Sequence, residues 1–207
     1  MSTAPTLDMW AYEKQARIAG FVKPAGLDEA GRGPLAGPVV SAAVILPDTV
    51  PVSGIRDSKK ISPKNREKLF DEIRCHAIAV GVGIVEPAEI DRINILQAAL
   101  LSMAIAVQNL KQAPDFLLID GTFTISSVLP QKAVPKGDSL SISIAAASIV
   151  AKVARDRIMA QYASQYPEFD FLKHKGYPTQ AHKEAIRIHG VSPIHRRSFK
   201  GVKEYCR

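Results

Sequence analysis

Short apolar runs alternate with amphipathic segments along the chain, and this alternation predicts an α/β fold. Five runs have the length, the apolar content and the flanking turn residues of strands: 23–30, 39–46, 77–85, 116–120 and 131–135. Helical spacing and helix-start residues predict helices near 9–19, 62–76, 87–111, 141–165 and 180–189. The run 39–46 is nearly all apolar, so we expect its strand at the centre of the sheet.

Two of the predicted helices carry further information. Pro87 suits the first turn of a helix, where its missing amide costs nothing. The apolar side chains after it share one helical face, which predicts a single helix as far as residue 111: Ile90, Ile93, Leu96, Leu100 and Met103. The first half of helix 141–165 is rich in Ala. Small side chains allow close approach, so we expect this helix to pack tightly on the sheet.

The composition is that of an ordinary globular protein. The 207 residues are 46% hydrophobic and 23% charged, which predicts one compact domain with appendages. The sequence contains no run of about 18 apolar residues, and charged side chains fill the region where a secretory signal would lie. Only Cys75 and Cys206 are present, too few for a disulfide framework. We therefore expect a soluble cytoplasmic protein with no membrane partner.

The positive charge is concentrated at one end of the chain. Residues 172–207 contain nine Lys or Arg against two Glu, and so account for the whole net charge of +7. Lys and Arg that neutralise phosphates release condensed counterions, so a basic appendage suits a polyanionic partner. A solvated tail without a partner would have the same composition. The charge predicts a basic helical extension at 172–207. A short polar leader at 1–22 and a compact domain at 23–171 precede it.

Four acidic residues lie where surface acids are not usual, at the ends of apolar segments and beside glycine or polar turns: Asp28, Glu29, Asp120 and Asp138. Ligand sites in open α/β sheets form at strand ends, so acids from separate strands can meet there. Carboxylates that are pressed together repel one another unless a divalent cation compensates their charge. Hard oxygen ligands suit Mg²⁺ or Mn²⁺, and two such ions about 3.5 to 4 Å apart can cleave phosphodiesters.

Each acid also has a simpler explanation. Asp138 precedes a predicted helix and could be its N-cap. Asp120 comes before Gly121 and could bind backbone amides in a turn. Asp28 and Glu29 are adjacent, and neighbours on a regular strand point to opposite faces. Either the strand is irregular there, or Glu29 contributes partly through its main-chain carbonyl.

The glycine-rich segment 31–38 has the wrong spacing for a nucleotide-binding loop. A phosphate loop needs a Gly-Lys-Ser/Thr ending, and a dinucleotide fingerprint needs glycine where Ala36 stands. Pro34 and Pro38 also remove amides that would bind phosphate. Glycine does permit close approach of the backbone to a partner, here directly after the first two carboxylates.

Taken together, these segments resemble the ribonuclease HII family, the type 2 ribonucleases H. The matching stretches are 26–40 (GLDEAGRGPLAGPVV), 57–60 (DSKK), Ile90-Asp91 with Asn94, 120–121 (DG), 136–138 (KGD), 143–153 (SIAAASIVAKV) with Arg155-Asp156, 174–177 (HKGY) with Thr179 and His182, and 195–199 (HRRSF). The similarity runs from about residue 24 to about residue 200. The blocks occur in the order that the family has.

The resemblance implies a ribonuclease H-like fold, in which a five-stranded mixed sheet is flanked by helices and followed by a helical C-terminal extension. The catalytic domain would be 23–171. The implied activity is endonucleolytic hydrolysis of the RNA strand of RNA/DNA hybrids, and incision 5′ of single ribonucleotides in duplex DNA. The implied products have 3′-hydroxyl and 5′-phosphate ends. Such an enzyme would act as a monomer in ribonucleotide repair and primer removal.

The resemblance also assigns the acids and the cofactor. By position, Asp28, Glu29, Asp120 and Asp138 correspond to the family's metal-coordinating catalytic carboxylates. The implied cofactor is Mn²⁺ or Mg²⁺, as two ions. These assignments agree with the donor chemistry that the residues themselves suggest.

Further positions correspond to the family's substrate contacts. Gly31, Arg32 and Gly33 match its Gly-Arg-Gly segment, whose backbone meets the ribose 2′-hydroxyl. Tyr177 matches the tyrosine at the junction between ribonucleotide and deoxyribonucleotide. A 2′-hydroxyl both donates and accepts hydrogen bonds, so nearby main-chain groups can distinguish ribose from deoxyribose. An ordinary surface tyrosine is the alternative for Tyr177.

Other polar residues are candidates for phosphate contacts. Lys59, Lys60 and Ser148 could bind the nucleic-acid backbone, with solvated lysines and a packed serine as the alternatives. The segment 195–197 (His-Arg-Arg) fits a positive tail that grips the duplex, or one that braces the C-terminal helix against the acidic site.

Two other functions fit parts of the sequence. His174, His182 and His195 could act as acid and base in a metal-independent ribonuclease, which would leave cyclic phosphates. A catalytically silent protein that binds RNA/DNA hybrids is the second alternative. The four carboxylates argue against a pure binder, because acids repel the phosphates of its partner.

Overall fold

The computed structural model describes residues 8–49, 54–55 and 61–206. Five strands form a mixed sheet with the order β3-β2-β1-β4-β5. They are β1 (Pro24–Ala30), β2 (Val39–Ile45), β3 (Ala79–Val85), β4 (Phe116–Asp120) and β5 (Gln131–Val134). The first three strands pair antiparallel, whereas β4 runs parallel to both β1 and β5. All five predicted strands are present.

The described helices flank the sheet and form the C-terminal region. They are α1 (Ala11–Ile18), α2 (Pro63–His76), α3 (Pro87–Ile93), α4 (Ile95–Gln108), α5 (Ile142–Gln165), α6 (Phe171–His174) and α7 (Gln180–His189). Short 3-10 turns lie at Gly137–Ser139, Pro167–Phe169 and Lys203–Tyr205. None of the helices in the described ranges is long and apolar enough to cross a bilayer.

The prediction of one helix over 87–111 was wrong, because the chain breaks at Asn94. Asn94 has a positive φ of 69°, which no helical residue adopts. Its side-chain oxygen accepts hydrogen bonds from the amides of Leu96 and Gln97, and so caps α4. The apolar face continues through the break, which is why periodicity alone did not reveal it.

Helix α5 covers one face of the sheet and approaches it very closely. Its alanines and Ile149 pack with α2 against even-numbered residues of β2, such as Ala42 and Val44. A Cβ added to Gly26 on β1 would lie 2.1 Å from the backbone carbon of Ser143. Glycine at this position is what lets α5 lie directly on β1. The other face of the sheet packs on α4 through residues of the opposite parity, such as Leu27 and Ala43.

Helix α1 of the predicted leader packs on the start of α5. Glu13 is buried, and one of its oxygens accepts hydrogen bonds from the hydroxyls of Ser141 and Ser143 and from the Ser143 amide. The backbone carbonyl of Met9 accepts a bond from the Ile142 amide. These contacts use donors at the N-terminus of α5 that have no partner within the helix itself.

Candidate active site

The geometry of two parallel strands brings Asp28 and Asp120 together. Gly26 on β1 is paired with Leu118 on β4, so the residues two positions further along each strand lie side by side at the same sheet edge. Both side chains project from the face that α5 covers, because side-chain direction alternates along a strand. The expected convergence of carboxylates at strand ends is therefore present for Asp28 and Asp120.

A cavity of about 370 Å³ opens at this edge. Its lining residues come from β1, the loop after it, α2, β4, α5 and the C-terminal region: Asp28, Glu29, Ala30, Gly31, Arg66, Asp120, Ser148, Lys152 and Tyr177. The strand stays regular through Asp28 and Glu29, which pair with Ala42 and Ser41. Both residues nevertheless line the cavity.

The carboxylates experience strong mutual repulsion. Asp28 is only 5% exposed, and burial, together with the charges of Glu29 and Asp120, raises its pKa well above the usual value. A hydrogen bond from Ser148 acts in the opposite direction. Burial also raises the pKa of Glu29, against the effect of Arg32, whose guanidinium lies 3.1 Å from the Glu29 carboxylate.

Asp138 lies in the short turn between β5 and α5. It is buried in the 3-10 turn Gly137–Ser139, and the Gly137 amide donates a 2.6 Å hydrogen bond to Asp120 Oδ1. Asp138 is not among the residues that line the cavity. It is also not the N-cap of α5, since Ser141 takes that role by accepting a bond from the Ile144 amide. Asp120 does bind a backbone amide, but of a residue on the neighbouring loop.

The donor set fits a divalent cation. Three carboxylates line one cavity, and their negative charges repel one another. A bound cation would relieve that repulsion. As the side chains stand in the described residues, no three acids, histidines or cysteines already converge on one point as ligands would. One oxygen of Glu29 accepts a hydrogen bond from Arg32 and one oxygen of Asp120 accepts a bond from the Gly137 amide, which leaves the second oxygen of each carboxylate for a cation.

The other predicted substrate contacts surround the carboxylates. Gly31, Ser148 and Tyr177 line the cavity, and a Cβ added to Gly33 would lie 3.9 Å from the Tyr177 ring. The Arg32 side chain extends beside Glu29. Lys59 and Lys60 lie outside the described residues.

Sequence reasoning missed two basic residues of the cavity, Arg66 and Lys152. Lys152 belongs to the matched α5 segment and is one helical turn from Ser148, so helical spacing could have found it. Its ammonium pairs with Asp156 at 2.6 Å. Arg66 lies on α2 in no distinctive motif, and only the packing of α2 against α5 brings it to the cavity.

The three histidines of the metal-independent alternative are not at the cavity. His174, His182 and His195 are buried in the C-terminal region, packed around Phe169 and Phe171. His195 Nδ1 accepts from the Ser192 amide, so Nε2 carries the proton and donates to His182 Nε2 at 3.1 Å. His182 Nδ1 in turn donates to the Tyr177 carbonyl. Neutral imidazoles can make all of these hydrogen bonds, so these histidines have a structural role.

The buried histidines make stability depend on pH. Burial lowers the pKa of His182 to about 4 and that of His195 to about 3, against about 6.5 in an unfolded chain. The unfolded chain therefore binds more protons than the folded chain as the pH falls below about 6.5. The contribution of the neutral histidines to the free energy of unfolding is complete above about pH 6.5 and is lost as the pH falls towards their folded-state pKa values. We expect each histidine to contribute a slope of about 1.4 kcal/mol per pH unit in this window.

Urea unfolding between pH 7.5 and 4.5 measures this slope. Replacing His182 with Gln should make it shallower by about 1.4 kcal/mol per pH unit. The matched control is His76→Gln, because that side chain is exposed. An unchanged slope in the His182 variant would contradict a neutral buried imidazole.

Comparison with solved structures gives the class to which this fold belongs. The crystal structure of ribonuclease H2 from Pyrococcus horikoshii superimposes with a TM-score of 0.75 at 28% identity, and covers 89% of this chain and 97% of the other. The RNase HII in the PCNA complex from Archaeoglobus fulgidus has a TM-score of 0.71 at 28% identity, covering 86% and 96%. The structure of Bst-RNase HIII with Mn²⁺, at 19% identity and a TM-score of 0.71, shares the fold. The predicted ribonuclease H-like fold is confirmed.

Sequence comparison then gives the family. The family model described as Ribonuclease HII matches residues 25–202. Ribonuclease HII of Geobacter metallireducens is 57% identical over 197 residues, which are 95% of this chain and 92% of the relative. That of Geobacter sulfurreducens is 52% identical over 201 residues, covering 97% and 93%. The chain belongs to the ribonuclease HII family, and the predicted enzyme class, a metal-dependent endoribonuclease, is confirmed.

Proposed function

We propose that the protein cleaves RNA in RNA/DNA hybrids and incises duplex DNA on the 5′ side of single embedded ribonucleotides. The observation that carries this proposal is one cavity that joins the buried carboxylates to the glycine-rich loop and Tyr177. The carboxylates that would carry out cleavage thus lie next to the loop and the tyrosine that would recognise the sugar. We propose that the enzyme is a monomer and serves ribonucleotide removal and primer removal.

The carboxylates would hold the cofactor, Mg²⁺ or Mn²⁺. Asp28, Glu29 and Asp120 line the cavity and, together with Asp138, would bind two divalent ions. Asp138 belongs to the turn whose Gly137 amide donates to Asp120. When bound, the ions supply the positive charge that activates water and stabilises the leaving oxygen. Asp28 keeps its orientation through Ser148 and through its own bond from the Glu29 amide.

The basic side chains would hold the nucleic acid. Arg66 and Lys152 line the same cavity as the acids, where they would balance phosphate charge. Gly31 to Gly33 form the wall beside Tyr177, close enough for main-chain groups to meet a ribose 2′-hydroxyl. The backbone of this loop would select the sugar, and the tyrosine ring would pack against the sugar at the junction.

A cleavage assay tests the proposal. A labelled DNA duplex with one ribonucleotide is incubated with the protein and Mg²⁺, Mn²⁺ or chelator, and the cut and its end groups are mapped. We expect metal-dependent incision 5′ of the ribonucleotide that leaves a 3′-hydroxyl. Cyclic phosphate ends that persist in chelator would support the histidine mechanism instead. Binding without any cleavage would make the protein a silent hybrid binder.

Tyr177 should matter most for the single-ribonucleotide substrate. Its ring is 41% exposed beside Gly33, so Tyr177→Ala removes a contact to the sugar with little loss of packing. We expect kcat/KM to fall about tenfold or more on the single-ribonucleotide duplex, the scale of one lost stacking contact, and less on a continuous RNA/DNA hybrid. Steady-state kinetics on both substrates measure the difference. Equal losses on both would count against a junction role.

A further inference from the structure

Of the two roles predicted for the segment 195–197, gripping the duplex or bracing the C-terminal helix against the acidic site, the burial of Arg196 favours the second. Arg196 has no solvent exposure, whereas the next residue, Arg197, is exposed. The Arg196 guanidinium donates to three backbone carbonyls of the glycine-rich loop. The oxygens are those of Gly31 at 2.6 Å, Arg32 at 3.0 Å and Gly37 at 2.9 Å.

A second buried arginine holds the rest of the same loop. Arg155 on α5 donates to the carbonyls of Ala36, Pro38 and Lys175 at 3.1 to 3.2 Å. Its guanidinium also lies 5.9 Å from the centre of the Tyr177 ring. In the described part of the chain, neither Arg155 nor Arg196 has a carboxylate within 4 Å, so backbone carbonyls take the place of a counter-ion. Two buried guanidinium groups thus hold one loop in its observed conformation.

The segment that carries Arg196 is itself fixed from two sides. The Arg196 amide donates to the Leu35 carbonyl, and Gly37 donates to the Ile194 carbonyl, so the two backbones pair. On the other side, Asp91 accepts hydrogen bonds from the amides of Arg197 and Ser198. The guanidinium therefore approaches the loop from a rigid support.

The bonds from Arg196 determine which way two peptide groups face. The described chain has only trans peptide bonds, and in a trans peptide the carbonyl and the next N–H point in opposite directions. With the Gly31 and Arg32 carbonyls turned inward to Arg196, the amides of Arg32 and Gly33 must point away from it. Neither amide donates a hydrogen bond to another described residue. The loop stretch that carries these amides lies beside the cavity, since Gly31 lines it and a Cβ added to Gly33 would lie 3.9 Å from the Tyr177 ring.

We propose that Arg196 is a positioning residue for sugar selection, which holds the Gly31 and Arg32 carbonyls inward and so presents the next two amides to the ribose. This proposal rests on the proposed function, because it names what makes the same loop selective. Gly31 fits this role, since its φ of 97° favours glycine and a Cβ there would lie 2.1 Å from Arg155 Nε.

The test compares affinities, in chelator, for a duplex with one ribonucleotide and for the same duplex made entirely of DNA. We expect Arg196→Gln to reduce the ratio of the two affinities about tenfold, the scale of one hydrogen bond. Arg197→Gln is the matched control: it removes an exposed charge and should weaken both complexes in parallel. A purely structural role for Arg196 would also lower both affinities together and leave their ratio unchanged.

Hydrogen exchange of residues 31–37 gives a second readout that needs no substrate. We expect faster exchange in Arg196→Gln than in Arg197→Gln, and an intermediate rate in Arg196→Lys, which serves if the Gln variant does not fold. Folded variants with wild-type exchange and a wild-type ratio would overturn the proposal. A wild-type protein that shows no preference for the ribonucleotide would contradict both the proposed function and the role of Arg196 in sugar selection. In that case, hydrogen exchange would still show whether Arg196 holds the loop.

Discussion

Asp120→Asn should abolish turnover and leave substrate binding largely intact. Asp120 lies beside Asp28 at the edge of the sheet, and its charge raises the pKa of that buried acid. An amide of the same shape keeps the bond from Gly137 but is a far weaker ligand for Mg²⁺ or Mn²⁺. We expect kcat to fall about a thousandfold or more. Binding should not weaken, because the change removes a negative charge that faces phosphate.

Single-turnover cleavage and equilibrium binding of the single-ribonucleotide duplex measure the two effects separately. The matched control is Asp48→Asn, which removes an exposed acid after β2, at the opposite end of the sheet. Its activity should stay within about twofold, since surface substitutions away from a site have small effects. Normal turnover in the Asp120 variant would remove this residue from the metal site.

Gly26→Ala should cause the largest loss of stability among single-residue changes on β1. A Cβ at Gly26 would lie 2.1 Å from the carbon and 2.5 Å from the oxygen of the Ser143 carbonyl, and 2.3 Å from the Ile144 amide nitrogen. All three are backbone atoms of α5, so no side-chain rotation can relieve the clash. The whole helix would have to move off β1, which we expect to cost more than about 3 kcal/mol of unfolding free energy.

Urea unfolding gives the free energy for this comparison. Gly33→Ala is the control, because the nearest atom to a Cβ there is 3.9 Å away and the backbone is not in the left-handed region. Its stability should stay within about 0.5 kcal/mol of the wild type. If Gly26→Ala is equally mild, then α5 does not approach β1 as closely as described.

The elements that sequence reasoning placed well are those whose signal is local. The five strands follow from apolar runs between turn residues, and their observed bounds differ from the predicted ones by no more than about two residues. The start of α2 follows from Ser62, whose side chain accepts a bond from the Asn65 amide. The break at Asn94 was missed because a capping side chain interrupts the helix without interrupting the apolar pattern.

The residues of the candidate site can also be divided into those that a sequence signal identified and those that it did not. Asp28, Glu29 and Asp120 were identified from their position at strand ends, Tyr177 from resemblance and Ser148 as a candidate phosphate contact; all five line the cavity. Asp138 was identified with them and is buried in the turn next to Asp120; it is not among the lining residues, and its role as a metal ligand stays a prediction.

The α/β class, the positions of the strands, the candidate acids and the family all follow from the amino-acid sequence, because they depend on local patterns and on motifs that are contiguous in the chain. Which side chains are buried follows only from the packing of the folded chain. Arg196 and Arg197 are neighbours with identical charge, yet one is enclosed by loop carbonyls and the other faces water. The three histidines could have been catalytic, but packing around Phe169 and Phe171 keeps them neutral and structural. Burial of a polar group depends on partners far away in the sequence, and only the folded chain supplies them.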